Sequence, residues 1–277
     1  MSTTPAAPSG AAAPPGAASR AFDSGLSIPD FSACLAMGLR PVGLVQGYYV
    51  GQVAGWNNYS AYPDINYPCA CNELDPHNFG WVGRVDGLDA SWAQAHNTAL
   101  SRLLAEASNL GAHGIVGVKT EMNHPTNENS CEVHLYGTAV VVEGARTPKA
   151  PWTTQLAGHK LAKLVEAGMV PASVIYARCT AVLSEGCYME AYGSGRYGTG
   201  YVITPLRDAH ELARSAAINA VKQVAGRSSL YDVHLNVHES ERYRSTYVSC
   251  SLLGSLVRQV RQTMPIATPV PTLSLAS

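Results

Sequence analysis

The residues best suited to hold a metal ion lie close together in the first half of the chain. Cys69-Ala70-Cys71 is followed by Glu73, Asp75 and His77. Thiolates and imidazole suit zinc or a softer ion, and carboxylates can complete a ligand set. On this reading Cys69, Cys71 and His77 are the ligands and a divalent metal ion is the cofactor. The competing reading is a surface loop with two incidental thiols, because one Cys-x-Cys pair is a weaker signal than paired Cys-x-x-Cys knuckles.

Other candidates are spread more widely. His234 and His238 fall on one face of an alternating strand. Four residues at about 3.3 Å each set them roughly 13 Å apart, too far to share one ion. His124 and Cys131 flank a predicted turn and are read as turn residues. The Gly- and Tyr-rich segment 192–201 precedes a helix, where backbone amides can cradle an anion. It lacks the Gly-Lys-Ser/Thr of a P-loop and the glycine spacing of a dinucleotide fingerprint, so an interface loop is the alternative. No Cys or His sits in a recognisable catalytic signature, and the chain is read as non-enzymatic.

Composition narrows the setting. The chain has 277 residues, of which 46% are hydrophobic and only 14% charged, with a formal net charge of −1. No broad positive field attracts nucleic acid or an anionic membrane, so neither is expected as a partner. So little charge leaves little polar surface to spare, which favours burial against a partner or against further copies of the chain. The 7 cysteines have no disulfide-scaffold rhythm. With no signal-peptide pattern and no apolar run of about 20 residues, a reducing, cytoplasmic setting is expected.

The elements that position these residues come in two sets. Residues 1–24 are an Ala/Pro-rich arm, 146–151 a linker and 266–277 a tail; between them lie segments 25–145 and 152–265. Gly38 and Pro41 recur as Gly168 and Pro171, an offset of 130. Each pair follows a short helical stretch, Phe31–Met37 or Leu156–Ala167, and precedes a β-branched run. The Gly suits a helix end, and the Pro is expected to prevent continuation.

A long Ala-rich helix follows in both segments. Its stripe is Trp92, Ala95, Ala99, Leu103, Ala107 and Leu110 in the first. In the second it is Leu206, Ala209, Ala213, Ala216, Ala220 and Val224. Two strands then close each unit. In the second, Tyr231, Val233, Leu235 and Val237 alternate with Asp232, His234, Asn236 and His238, predicting one buried and one polar face. Ala95 aligns with Ala213 (offset 118) and Gly137 with Gly254 (offset 117). The first copy therefore carries about a dozen extra residues in the loop before its helix, around 55–89, which holds the Cys/His cluster.

One stretch carries a resemblance. Leu110-Gly111-Ala112-His113-Gly114-Ile115-Val116-Gly117-Val118, then Gly137-Thr138-Ala139-Val140, with Arg102 in the helix before them, resemble the YbjQ-like family of heavy-metal-binding domains. The entry Gly-Leu-Arg-Pro-Val-Gly-Leu-Val resembles tandem members of that family. The resemblance covers about 27–143 well and 155–260 weakly. It implies two dodecin-like β-α-β-β units, an α+β fold in which a helix packs on one face of each antiparallel sheet. It also implies a homo-oligomeric ring, since single-unit members form pentamers. No metal ligand or catalytic residue transfers by position. Five chains would bring ten units, either as two stacked five-fold layers or as one pseudo-ten-fold ring. Three functions stay open: a ring that binds a metal ion or small ligand, a purely structural particle, and a cysteine-dependent enzyme.

Overall fold

The computed structural model describes residues 23–52, 82–123, 130–146, 148–184, 204–226, 228–242 and 245–260. In chain order the elements are α1 (Ile28–Ala36), β1 (Leu39–Gln52), β2 (Val82–Arg84), α2 (Asp86–Asn109), β3 (Gly114–Asn123), β4 (Ser130–Val142), β5 (Trp152–Thr153), α3 (Gly158–Glu166), β6 (Met169–Ser184), α4 (Thr204–Ala225), β7 (Ser229–Arg242) and β8 (Ser245–Gln259). The fold is α+β, as expected.

Gly38 and Gly168 follow the short helices with φ of +72° and +76°, the left-handed geometry that ends a helix. The prolines do a different job from the one expected. The helices have already ended, and Pro41 and Pro171 sit inside β1 and β6. Each lies beside a register shift, Pro41/Gly43 against β4 and Pro171/Ser173 against β8. At such an irregularity a missing N–H disturbs the ladder least.

The strands form two four-stranded sheets, β1-β4-β3-β5 and β2-β6-β8-β7. Three strands per sheet were expected, and the fourth comes from the other segment each time. β2 precedes α2 yet pairs antiparallel with β6 at Ala181–Leu183. β5 follows the linker and pairs parallel with β3 at Gly114 and Ile115. Each exchanged strand covers part of an edge whose backbone groups would otherwise be unpaired.

Helix α2 lies on β1 and β4 through Ala95, Ala99, Leu103 and Ala107, all fully buried. The small side chains bring the helix so close that a Cβ on Gly47 of β1 would run into the backbone of Ala99 and Leu103. Leu110, expected in this stripe, is 39% exposed. Helix α4 lies on β6 and β8 in the same way. Its buried line is Ala209, Ala213, Ala217 and Val221, a strict four-residue step. Of the expected stripe, Leu206, Ala216 and Ala220 are half-buried and Val224 is exposed. A four-residue step drifts slowly around a helix, so the alternating three- and four-residue stripe read from sequence leaves the contact line towards its end.

The two segments share one core. Val45, Trp92, Leu103, Ile115, Val133 and Leu135 cluster with Val174, Val182 and Tyr247 of the second sheet. Along β6 the residues divide between two faces. Ile175, Ala177, Cys179 and Ala181 join clusters with α4, whereas Val174 and Val182 meet the α2 core. Helix α2 is thus covered by its own sheet on one side and by the second sheet on the other. A further cluster joins α1 and α3 through Cys34, Leu161 and Leu164.

The strand expected to have one buried face has none in this chain. Val233, Leu235 and Val237 of β7 are 46%, 39% and 46% exposed. The alternation was correctly read, but α4 lies on β6 and β8 and meets β7 at Leu230 and through the His210–Glu239 ion pair, leaving Val233, Leu235 and Val237 open.

Candidate functional site

A dense group of titratable side chains lies where α2 meets β6. Asp89, Trp92 and His96 follow one another at helical spacing and are all buried, Asp89 at 8% exposure and His96 at 1%. Facing them are Tyr176, Arg178 and Thr180, alternate residues of β6. The Thr180 N–H donates to Asp89 Oδ2 at 2.9 Å, and the Thr180 carbonyl accepts from the Val85 N–H at 2.9 Å. The Arg178 guanidinium lies over the Trp92 ring, 4.7 Å from its centroid, and donates to Ser249 Oγ at 2.9 Å. Ser249 and Thr180 hydroxyls are 3.1 Å apart. The His96 ring stacks on Tyr176 at 4.8 Å with 20° between planes.

Burial sets the protonation of this group. It raises the Asp89 carboxyl to about 6, against the opposing pull of the Thr180 amide and of Arg178 and Arg84. It lowers the His96 imidazole to about 4, with a hydrogen bond to Asn97 opposing. It pushes the Tyr176 phenol up to about 12. Asp89 Oδ1 and His96 Nε2 have no hydrogen-bond partner among the described residues. A neutral imidazole and a carboxyl poised near pH 6 are acid–base chemistry in principle. Here they are packed between a helix and a sheet, so they couple the two segments and answer to protons.

The outer edge of β1 is the second polar feature. The Gln46 N–H donates to Glu106 Oε2 at 2.6 Å, and Arg102 of α2 donates to the Tyr48 carbonyl. Two side chains of the helix thus occupy edge groups that could otherwise pair with another strand. The sheet face beside this edge carries Tyr48, His134 and Tyr136. His134 sits 5.7 Å from Tyr48 and 5.1 Å from Tyr136 between ring centroids, and the Tyr136 hydroxyl donates to Glu121 at 2.8 Å. Gln46, Gly47, Tyr48, Arg102, Glu106 and His134 line a shallow, open depression there.

The sequence candidates fare unevenly. Cys69, Cys71, Glu73, Asp75 and His77 lie outside the described residues, as do His124 and the 192–201 segment. Cys131 is not a turn residue: it is a buried member of β4, opposite Gly51. His234 and His238 share an exposed strand face, opposite Leu253 and Ser249. Among the described residues no group of three or more His, Cys, Asp or Glu side chains is placed to hold a metal ion. Cys34, Cys131, Cys179 and Cys250 are buried free thiols. Burial raises all four, Cys179 to about 11, the opposite of what a thiolate nucleophile or ligand needs. No helix among the described residues is long and apolar enough to cross a membrane.

Residues 79–143 match the family described as "Putative heavy-metal-binding". The match covers α2, β3 and β4, together with β2. It contains Asp89, His96 and Cys131 but not Cys69, Cys71 or His77. Within the matched stretch the described donors do not converge, so they do not fit a metal centre. No curated protein matches the chain.

The junction was missed in the sequence because Asp89 and His96 interrupt an apolar stripe and read as ordinary surface positions. Their signal was their place on a helix flanked by Ala on the sheet side. Seeing it required knowing that a second sheet covers the other side.

Proposed function

We propose that the chain is a tandem pair of equivalent α+β units that assembles head to tail with further copies into a closed, non-enzymatic ring of five chains. The equivalence is supported by the shared strand order, β1-β4-β3 and β6-β8-β7. It is supported again by the matched register shifts, Pro41/Gly43 with Pro171/Ser173 and Val116/Lys119 with Tyr231/His234.

The observation that carries the assembly is the junction between the units, which joins unlike surfaces. The first unit offers α2 and β3. The second offers the face of its sheet that points away from α4. A contact between unlike surfaces leaves one unused partner of each kind on every chain, and such contacts build a ring where the rotation between units closes and an open filament where it does not; the ring is the outcome proposed. A ring built this way alternates the two units and holds an even number of them. Five chains, the number that the YbjQ-like resemblance implies, give ten. Light scattering of the purified full chain is expected to return about five chain masses. A single-chain mass would sink the proposal.

The description of the matching family favours one addition, a bound divalent metal ion; its candidate ligands Cys69, Cys71 and His77 come from the sequence alone and lie outside both the matched stretch and the described residues. Elemental analysis of protein purified without added metal is the test. Stoichiometric metal that disappears in Cys69→Ser/Cys71→Ser supports it, and unchanged metal content removes these ligands. A ring with no bound metal or ligand would be a structural particle.

A further inference from the structure

We infer that the next chain in the ring docks the uncovered face of its first sheet, around Tyr48, Val50 and Glu132, onto α4 and β7 of this chain, and that a reversal of charge fixes this order. The inference rests on the proposed equivalence of the two units and names the surfaces through which they would join.

The internal junction is the template. The rows Ala95, Ala99, Leu103, Ala107 and Ala213, Ala217, Val221, Ala225, all buried but the half-buried Ala225, put Asp89, Trp92 and His96 in register with Arg207, His210 and Arg214. On the sheets, Val45 pairs with Gly137 as Ile175 pairs with Gly254. Tyr48, Val50 and Glu132 therefore occupy the positions of Arg178, Thr180 and Ser249. The local geometry agrees. Arg178 reaches Ser249 across the strands, and Tyr48 shares a hydrogen bond with Glu132 in the same way.

Within the chain, an acidic helix position, Asp89, faces a sheet position carrying Arg178. Between chains the signs are exchanged. Arg207 and Arg214 are exposed on α4, Arg207 in an exposed ion pair with its neighbour Asp208, and Glu132 stands on the sheet face that would meet them. Other pairings place like charges together. Sheet two against α4 would bring Arg178 to Arg207 and Arg214. Sheet one against α2 would bring Glu132 to Asp89. Like-charge contacts of this kind reject wrong partners.

The apolar surface fits the same docking. Val118 on β3 is 2% exposed and belongs to the core cluster that also holds Val174, Val182 and Tyr247 of the second sheet. Its counterpart row on β7, Val233, Leu235 and Val237, has no cover. On the other side Tyr48 and Val50 are 44% and 53% exposed, whereas Val174 and Val182, on the equivalent strand, are buried against α2. Each chain therefore shows one uncovered copy of each half of a contact that it already makes internally.

The test is charge reversal and rescue in the full chain, read by mass photometry with circular dichroism as a check on folding. Arg207→Glu/Arg214→Glu is expected to reduce the assembly from five chains to one with the fold unchanged. Adding Glu132→Arg to the same chain should restore it. Leu235→Glu, at an exposed position of β7, should also give single chains. A wild-type chain that is itself monomeric would end the ring proposal and this inference together. An assembled wild type whose charge-reversed and Leu235→Glu variants stay assembled would end this inference alone. Dissociation without rescue by Glu132→Arg would refute the charge pairing.

Discussion

Asp89 offers the sharpest test of the junction. Its carboxyl has an ordinary value of 3.8 and is raised to about 6 in the fold. The folded protein therefore binds the proton more tightly than the unfolded chain does. The stability associated with the protonated form is fully present below about pH 3.8. It is lost as pH rises through about 6. A shift of roughly two units corresponds to about 3 kcal/mol at pH 7. Asn mimics the neutral acid and can still accept the Thr180 N–H, so Asp89→Asn is expected to be more stable than the wild type by about 3 kcal/mol at pH 7. The gain should shrink to about half near pH 5 and vanish near pH 3.5. Urea unfolding of both proteins across this range measures the difference directly, and other titrating groups cancel in it. His96 makes the result more telling. Its folded value is lowered from 6.5 to about 4, so its contribution is lost as pH falls through that window. Asp89 and His96 oppose each other between about pH 4 and 6, and removing Asp89 exposes the acid sensitivity of His96. An Asp89→Asn protein that is less stable at pH 7, with a pH profile parallel to the wild type, would refute the reasoning.

Other expectations follow from the packing. Gly47→Ala places a methyl against the backbone of α2 and should cost roughly 1–3 kcal/mol. Its control, Gly87→Ala in the exposed first turn of α2, meets nothing and should add about 0.4–1 kcal/mol; calorimetry compares the two. Cys34, Cys131, Cys179 and Cys250 should resist a thiol reagent at neutral pH until denaturant unfolds the chain, and rapid native labelling of any of them would contradict their burial.

Much of the fold was legible because its signals are local. Glycines after the short helices, an Ala-rich row on each long helix and the alternation of Tyr231–His238 fix element type, and each helix and strand they mark appears in the structure, though the second Ala row runs through Ala217 and Val221. What was not legible depends on partners distant in sequence. Nothing in Val82–Arg84 or Trp152–Thr153 announces a strand exchanged between segments. The alternation of Val233, Leu235 and Val237 shows that a cover is wanted, not which surface supplies it. The polar junction was obscured for the same reason, since Asp89 and His96 look like surface positions until the second sheet closes over them. The Cys69–His77 cluster remains a sequence reading, because it lies outside the described residues.

The central claim is that the internal junction repeats between chains. Electron micrographs of the purified full chain, averaged by class, test this most directly. Closed rings of ten units from five chains are expected, alternating first and second units around the axis. Single particles of one chain, or two-fold pairs joined through identical surfaces, would contradict it.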